Sequence, residues 1–240
     1  MALAPHAGNR DSADDKEHGE EPGQLQRSLA ALIERQEFPC VGAKSALAQG
    51  TLEIVTARSI TSACDDQRIH DALVQWSAGH EPDEKVFRSF AVVFAGPTSL
   101  TERAFEEALW ARLGSLIVKD GQRGNDYDPA YSDDPNDPHF ALSFGGRAFF
   151  AVGLHPRAAR RARRAAYPTI VLNPHDQFER LRAQQRYERM REVILARDEE
   201  FDGEPNPMIA RHGEVSEARQ YSGRQVGEDW QCPFSPKDLS

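Results

Sequence analysis

Cysteine is scarce in this chain of 240 residues, which contains three: Cys40, Cys64 and Cys232. Their odd number and wide spacing argue against a disulfide framework and predict free thiols in a reducing cytoplasm. Long apolar runs are also missing. No stretch of about eighteen apolar residues is present, so a membrane-spanning helix is not expected. The first residues lack the basic and apolar regions of a secretory signal, and the predicted location is therefore cytoplasmic.

Basic side chains are outnumbered, with 29 Lys and Arg against 38 Asp and Glu, and the formal net charge is -9. Broad nucleic-acid binding needs an extended basic surface, so this composition argues against a nucleic-acid partner. Several motifs of common enzyme classes are absent as well. The chain has no GxxxxGK[ST] or GxGxxG phosphate loop, no GxSxG elbow, no HExxH and no paired CxxC. A few histidines, one cysteine and a group of arginines remain as candidates for chemistry.

The composition changes near residue 22. Residues 1–22 contain almost nothing to bury and are predicted to form a disordered tail. Residues 23–240 are predicted to form one α+β domain, with a mixed or antiparallel sheet flanked by helices; two smaller domains are the alternative.

The elements of this domain are predicted from hydrophobic periodicity and from start and stop signals. Helices are predicted at 24–38 and 65–77, from a capping box of Ser99 and Glu102, and from an Asn173 cap to about Asp198. Strands are predicted at 51–58, 89–95, 169–172 and in a hairpin over 140–153 that turns at Gly145 and Gly146. Residues 120–138 are predicted to be a long acidic loop. The polar C-terminal segment is expected to pack onto the body through Trp230, Cys232 and Phe234.

The segment around His155 is the most informative part of the sequence. It reads Gly153-Leu154-His155-Pro156 and continues with Arg157, Arg160, Arg161, Arg163 and Arg164. If Pro156 begins a helix, the arginines at 157, 160, 161 and 164 share one face. Guanidiniums gathered in this way predict a bound anion, with a solvated basic helix face as the alternative. His155 would then lie at a strand-to-helix corner, as a ligand or as a structural histidine.

Three further side chains are candidates. His175 falls in the first turn of a predicted helix, where the dipole favours a neutral imidazole that could bind a metal or donate a hydrogen bond. An exposed first-turn histidine is the alternative. Cys40 lies near Lys44, which favours a thiolate, although a buried inert thiol is the more common outcome. His212 is the weakest candidate.

Six segments together resemble the YqcI/YcgG family. They are FPCVGAK at 38–44, LHP at 154–156 with its arginines, NPHDQFE at 173–179, NPM at 206–208, SEARQYSGR at 216–224 and WQCPF at 230–234. The resemblance spans residues 24–236. It implies a haem-dependent monooxygenase that hydroxylates an amine or guanidine nitrogen of an amino-acid-derived substrate in natural-product biosynthesis. Its cofactor would be haem b, and its partners would be dioxygen and an external electron donor.

Roles for individual residues follow from the resemblance and the needs of haem. His155 is the preferred axial ligand, followed by His175 and then Cys40. Propionates would be bound by Arg157, Arg160, Arg161 and Arg164. Arg219, Tyr221, Ser222 and Arg224 would line a substrate pocket, or form a hydrogen-bonded turn that holds the tail. Glu217 is the predicted acceptor near the substrate nitrogen. Acidic residues of the long loop, Asp126, Asp128, Asp133, Asp134 and Asp137, either attract a cationic substrate or are solvated.

Two other classes of function share some of these features. A haem-binding sensor or carrier would have the ligand and the propionate partners but no substrate pocket. An enzyme without a metal would bind a phosphorylated or nucleotide substrate through the same arginines.

Overall fold

A computed structural model describes residues 21–79, 86–208 and 213–234. The predicted tail and His212 lie largely or wholly outside these ranges. Within them the chain forms one α+β domain in which seven α-helices surround a five-stranded mixed sheet, as the sequence predicts. None of the helices in these ranges is both long enough and apolar enough to cross a membrane.

Seven helices and five strands follow one another along the described ranges of the chain. The helices are α1 (Pro22–Glu34), α2 (Val41–Ala48), α3 (Asp66–Ala78), α4 (Glu102–Gln122), α5 (His175–Ala183), α6 (Tyr187–Asp202) and α7 (Ala218–Tyr221). The strands are β1 (Leu52–Ser59), β2 (Ser89–Gly96), β3 (Leu142–Phe144), β4 (Arg147–Leu154) and β5 (Thr169–Pro174).

The sheet has the strand order β1-β2-β5-β4-β3. Strands β1 and β2 are parallel, and all other neighbours are antiparallel. The predicted hairpin is confirmed, with Gly145 and Gly146 both at positive φ in its turn, a conformation that glycine adopts without steric cost. Strand β3 is short and pairs only with residues 147–149 of β4. The second half of β4 is therefore left without a strand on that side.

Strand β2 is buried on both faces, as its continuous apolar run predicts. Phe90, Val92 and Phe94 pack into a core with α3 and α4. Ala91 and Val93 alternate with them and pack into a second core with α1. The strand therefore separates two apolar layers and fixes the helices on each side of the sheet.

Two predicted helix starts are wrong. The predicted capping box at Ser99 is replaced by Thr101, whose hydroxyl accepts a hydrogen bond from Ala104 N at 3.2 Å. Asn173 does not cap α5, because it still belongs to β5, where its side-chain oxygen accepts a hydrogen bond from Ser89 at 2.6 Å. The helix begins two residues later at His175. In both cases local signals identify the helix correctly and misplace its first turn.

The predicted long helix from residue 173 to about 198 is divided into α5 and α6. Gln185 has a φ of 57° in the break, which a continuous helix does not allow. Short α2 was not predicted; Cys40, which was predicted to lie in a loop, is its N-cap. The predicted packing of the C-terminal segment is confirmed, since Phe234 stacks on Trp110 with ring centroids 6.3 Å apart.

Candidate functional site

The unpaired edge of β4 is covered by α7 and by one arginine. Arg163 donates hydrogen bonds to Gly153 O at 3.1 Å, Tyr221 O at 3.4 Å and Gln220 O at 3.3 Å. A Cβ on Gly153 would lie 2.6 Å from Leu109 Cδ1, 2.8 Å from Phe105 Cε1 and 2.9 Å from Tyr221 O, so the absence of a side chain there allows both α4 and α7 to approach. Burial lowers the pKa of Arg163 to about 10. Arg163 therefore donates a hydrogen bond to Gly153 O of β4, where no neighbouring strand is present on that side.

His155 follows the last residue of β4 and is buried, with 2% of its surface exposed. Its ring stacks on Phe105 of α4, with centroids 4.3 Å apart. Burial lowers its pKa to about 4, although the nearby Glu102 carboxylate acts in the opposite direction. The imidazole is therefore neutral at pH 7, which is the form that binds metals. Its buried Nδ1 has no hydrogen-bond partner within the described ranges.

The predicted helix after Pro156 does not form. Residues 156–160 make turns, and only 161–163 form a short 3-10 helix. The cause is tertiary: Ala159 N donates to Glu102 at 2.9 Å and Arg161 N donates to Asp202 at 2.6 Å. These carboxylates hold backbone N–H groups in place, and the arginines consequently share no common helical face.

All four predicted propionate partners donate hydrogen bonds within the protein, and two of them also contact a carboxylate or an aromatic ring of α6. Arg160 forms an ion pair with Asp198 at 2.7 Å and lies 3.4 Å from Asp202. Arg161 donates to Phe201 O at 2.7 Å, and its guanidinium lies over the Phe201 ring at 4.4 Å. Both arginines hold the segment against α6, and an anion would have to displace these contacts.

The other two, Arg157 and Arg164, are exposed and donate to backbone carbonyls. Arg157 donates to Ser99 O at 3.0 Å. Arg164 donates to Ala158 O at 3.0 Å and to Ala159 O at 2.9 Å. Neither forms an ion pair with a carboxylate inside the described part of the chain. No carboxylate neutralises either guanidinium there, so both keep a positive charge for an external anion.

His175 lies in a second cluster. Its Nε2 is 3.0 Å from Glu217 Oε2, and both residues are buried. Aromatic rings surround the imidazole, with Tyr131 at 4.8 Å, Phe178 at 6.1 Å and Phe150 at 6.5 Å between centroids. A histidine paired with a carboxylate is typical of metal ligands and of acid–base pairs.

Tyr221 extends this cluster toward α4. Its ring packs edge-on against Phe150 at 5.2 Å and stacks on Trp110 at 5.6 Å. Burial raises its pKa well above the usual value, and the charge of Glu217 adds to the effect. Three predicted site residues, His175, Glu217 and Tyr221, are thus brought together by α5 and α7.

Arg224 and Arg219 have structural contacts in the same segment. Arg224 forms an ion pair with Glu106, a buried residue of α4. Glu106 also accepts hydrogen bonds from Ser222 at 3.0 Å and from the Trp230 indole at 3.1 Å. Arg219 donates to Gly227 O and lies 5.9 Å from the Trp230 ring. Glu106, which the sequence did not reveal, therefore anchors the segment that carries Glu217 and Tyr221.

A second buried carboxylate also escaped prediction. Asp120 lies 2.7 Å from His70 Nε2 and accepts hydrogen bonds from Asn125 at 2.8 Å and from Gly145 N at 3.0 Å. Asp120 joins α3, the start of the acidic loop and the hairpin turn. In that loop, Asp128 accepts a hydrogen bond from Ala148 N at 3.1 Å. At least part of the negative charge of the loop therefore stabilises the fold.

Cys40 is a partly buried thiol, which is the more common of the two predicted outcomes, and not a thiolate. Its Sγ accepts a hydrogen bond from Ala43 N at 3.4 Å as the cap of α2, and burial raises its pKa. Lys44 instead donates its ammonium hydrogens to Arg35 O and Gln36 O. The thiol form is therefore favoured at neutral pH.

The two histidines lie at opposite ends of the sheet. Strand pairing places Pro174 beside Phe149, and His175 is the next residue. Six residues separate Phe149 from His155, which is about 20 Å along an extended strand. One metal ion therefore cannot bind both imidazoles. Among the described residues, no group of three His, Cys, Asp or Glu side chains could hold a metal ion.

The fold and these clusters define an α+β protein with a neutral buried histidine directly after strand β4. The sequence model of the YqcI/YcgG family matches residues 29–235. The chain belongs to the YqcI/YcgG family. No curated protein and no solved structure matches it.

Haem needs an axial ligand for its iron and cations for its two propionates. His155 fits the first need, because its imidazole is neutral and its buried Nδ1 has no partner within the described ranges. Arg157 and Arg164 fit the second, whereas Arg160 and Arg161 do not. The residues around His155 therefore fit haem, with two of the four arginines that were predicted to bind its propionates.

Proposed function

We propose that this protein is a cytoplasmic haem-dependent N-oxygenase that hydroxylates an amine or guanidine nitrogen of an amino-acid-derived substrate. The observation that carries the proposal is the buried Nδ1 of His155, which has no partner in the described part of the chain. A buried polar atom left in this way requires an explanation, and a metal ligand role supplies one. The family resemblance gives the reaction.

In this proposal His155 holds the haem iron, and Arg157 and Arg164 bind the propionates. When bound, haem b supplies the iron that activates dioxygen, with electrons from an external donor. Phe105 fixes the plane of the imidazole by stacking on it at 4.3 Å.

Helix α7 is the proposed substrate side, because Tyr221 O reaches β4 two residues before His155. Glu217 lies one residue before α7 and is held by His175 at 3.0 Å. Because His175 lies about 20 Å along the sheet from His155, the negative charge of Glu217 would attract a cationic group of the substrate that is remote from the oxidised nitrogen. Tyr131, Phe150 and Phe178 would provide an apolar wall beside it.

The test begins with the visible spectrum of the full-length protein produced with ample iron and haem precursor. We expect a Soret band, its loss or shift in His155→Ala, and its retention in His175→Ala. His139→Ala is the matched control, since His139 is an exposed histidine. Arg157→Glu combined with Arg164→Glu should lower haem retention more than Arg157→Lys combined with Arg164→Lys, because each charge-assisted bond contributes roughly 1.5–3 kcal/mol.

The activity assay is mass spectrometry of incubations with arginine, lysine and related amines, in search of one added oxygen. If His155→Ala has a normal spectrum and His175→Ala has lost the Soret band, the haem ligand is His175, with Glu217 as its carboxylate partner. A carbon monoxide complex typical of thiolate ligation would assign Cys40. Haem without any oxygen transfer would favour the sensor or carrier, and a wild-type protein without haem would refute the proposal.

A further inference from the structure

Helix α6 presents a second surface, which is independent of the proposed function. The helix is buried only at Asp198 and Phe201. On the opposite side, four exposed residues define what we term the α6 seam: Arg189, Val193, Ala196 and Glu200. Their spacing of four, three and four residues is that of the a and d positions of a coiled coil. The seam thus has the geometry of a helix-pairing surface and faces solvent.

The middle of the seam is apolar. Val193 is 40% exposed and is one of two large hydrophobic residues that the described part of the chain exposes. Ala196, its neighbour on the same side of the helix, is also exposed. A small side chain beside an exposed aliphatic one allows a second helix to approach closely, and pairing would remove Val193 from water.

The ends of the seam carry opposite charges, with Arg189 at the N-terminal end and Glu200 at the C-terminal end. The surrounding sequence extends this difference. Residues 180–191 contain five arginines and one glutamate, whereas residues 192–204 contain six acidic residues and one arginine. A surface with this distribution is complementary to itself when one copy is turned end to end.

We propose that the α6 seam binds a second copy of this chain in antiparallel orientation. About a two-fold axis near the middle of α6, Arg189 meets the partner's Glu200, and Val193 meets the partner's Ala196. Each contact occurs twice. A parallel arrangement would instead place Arg189 against the partner's Arg189, and this repulsion selects the antiparallel dimer.

An open groove of about 600 Å³ beside the acidic end of the seam would receive the basic end of the partner helix. Its lining includes two glutamates, Glu37 and Glu200, and two arginines, Arg161 and Arg197, and only the glutamates favour a basic partner segment. The dimer would therefore bury more than the four seam residues of each copy, with contacts that are largely ionic. Because exposed ion pairs are screened by salt, its affinity should fall as ionic strength rises.

The experiment is sedimentation of the full-length protein at low and high salt. We expect a dimer at low salt that dissociates at high salt. Arg189→Glu and Glu200→Arg should each raise the dissociation constant by about tenfold or more, since each replaces two attractive contacts by two repulsive ones. Glu188→Arg is the matched control, because position 188 is exposed on the same helix outside the seam.

Mixing the two variants gives the sharpest test. The first has acidic side chains at both positions 189 and 200, and the second has basic side chains at both. Each should be monomeric alone, and an equimolar mixture should form a heterodimer. Far-UV circular dichroism and thermal unfolding verify that both variants are folded. A wild-type protein that is monomeric at low salt, a dimer insensitive to either reversal, or a mixture that stays monomeric would overturn the proposal.

Discussion

The pH dependence of stability gives a direct test of how His155 is placed. Burial lowers its pKa in the folded protein to about 4, whereas a histidine in an unfolded chain has a pKa near 6.5. Between these values the unfolded chain binds a proton that the folded protein does not bind. Acid therefore favours unfolding. The stability that depends on neutral His155 is fully present above about pH 6.5 and is lost as the pH falls toward about 4.

The magnitude follows from the size of the shift. A difference of one pKa unit corresponds to about 1.4 kcal/mol, so the shift of His155 corresponds to about 3 kcal/mol of unfolding free energy. The residue is 2% exposed, so little screening by solvent reduces this value. The fold as a whole also loses stability in acid as its carboxylates are protonated, and the contribution of His155 must be isolated by difference.

The measurement is urea unfolding of the haem-free wild type and of haem-free His155→Leu across this pH range. Subtracting the two curves removes every group that titrates equally in both proteins. The stability of the wild type relative to the variant should fall by about 3 kcal/mol between about pH 6.5 and about pH 4. His139→Leu, at an exposed position, should show no such change. A constant difference between wild type and His155→Leu would refute the burial of a neutral imidazole.

Two further substitutions test the covering of the β4 edge. Gly153→Ala places a Cβ 2.9 Å from Tyr221 O and should reduce the unfolding free energy by roughly 1–3 kcal/mol. Gly121→Ala is the control, because a Cβ there lies in open space on α4, and it should be neutral or slightly stabilising. Thermal unfolding compares the two variants. Glu106→Gln removes the carboxylate that pairs with Arg224 and should lower stability by about 3 kcal/mol. Hydrogen exchange should then be faster at 222–230, and unchanged exchange there would contradict the anchoring role of Glu106.

The parts of the fold that the sequence predicts are those with strong local patterns. The apolar run of β2 requires burial on both faces, and the two adjacent glycines of the hairpin permit its positive φ angles. Helix α4 was predicted from periodicity, although its cap was misplaced by two residues. Such features depend on residues within a few positions of one another, and one sequence contains that information.

The contacts that build the site join residues far apart in the chain. Glu106 is separated from Ser222 by 116 positions and from Trp230 by 124. No local pattern distinguishes this glutamate from an exposed helical one. The pairing of His175 with Glu217 also joins residues that are not neighbours in sequence, 42 positions apart. His155 was predicted correctly as a strand-end residue, but its stacking on Phe105 depends on how α4 crosses the sheet.

The failed helix after Pro156 changes how the arginines are to be understood. Helical spacing alone placed four of them on one face and predicted one shared anion. In the fold, Arg160 and Arg161 instead connect this segment to α6. Arg163, which was not among the four, donates to one carbonyl of β4 and to two of α7. An acidic protein concentrates cations here because a strand edge and two helices meet at one corner. The charge that can serve a ligand is therefore confined to Arg157 and Arg164, which are exposed and lie within nine residues of His155 in the sequence. A test of haem binding must separate these two arginines from those that connect the segment to α6 and α7.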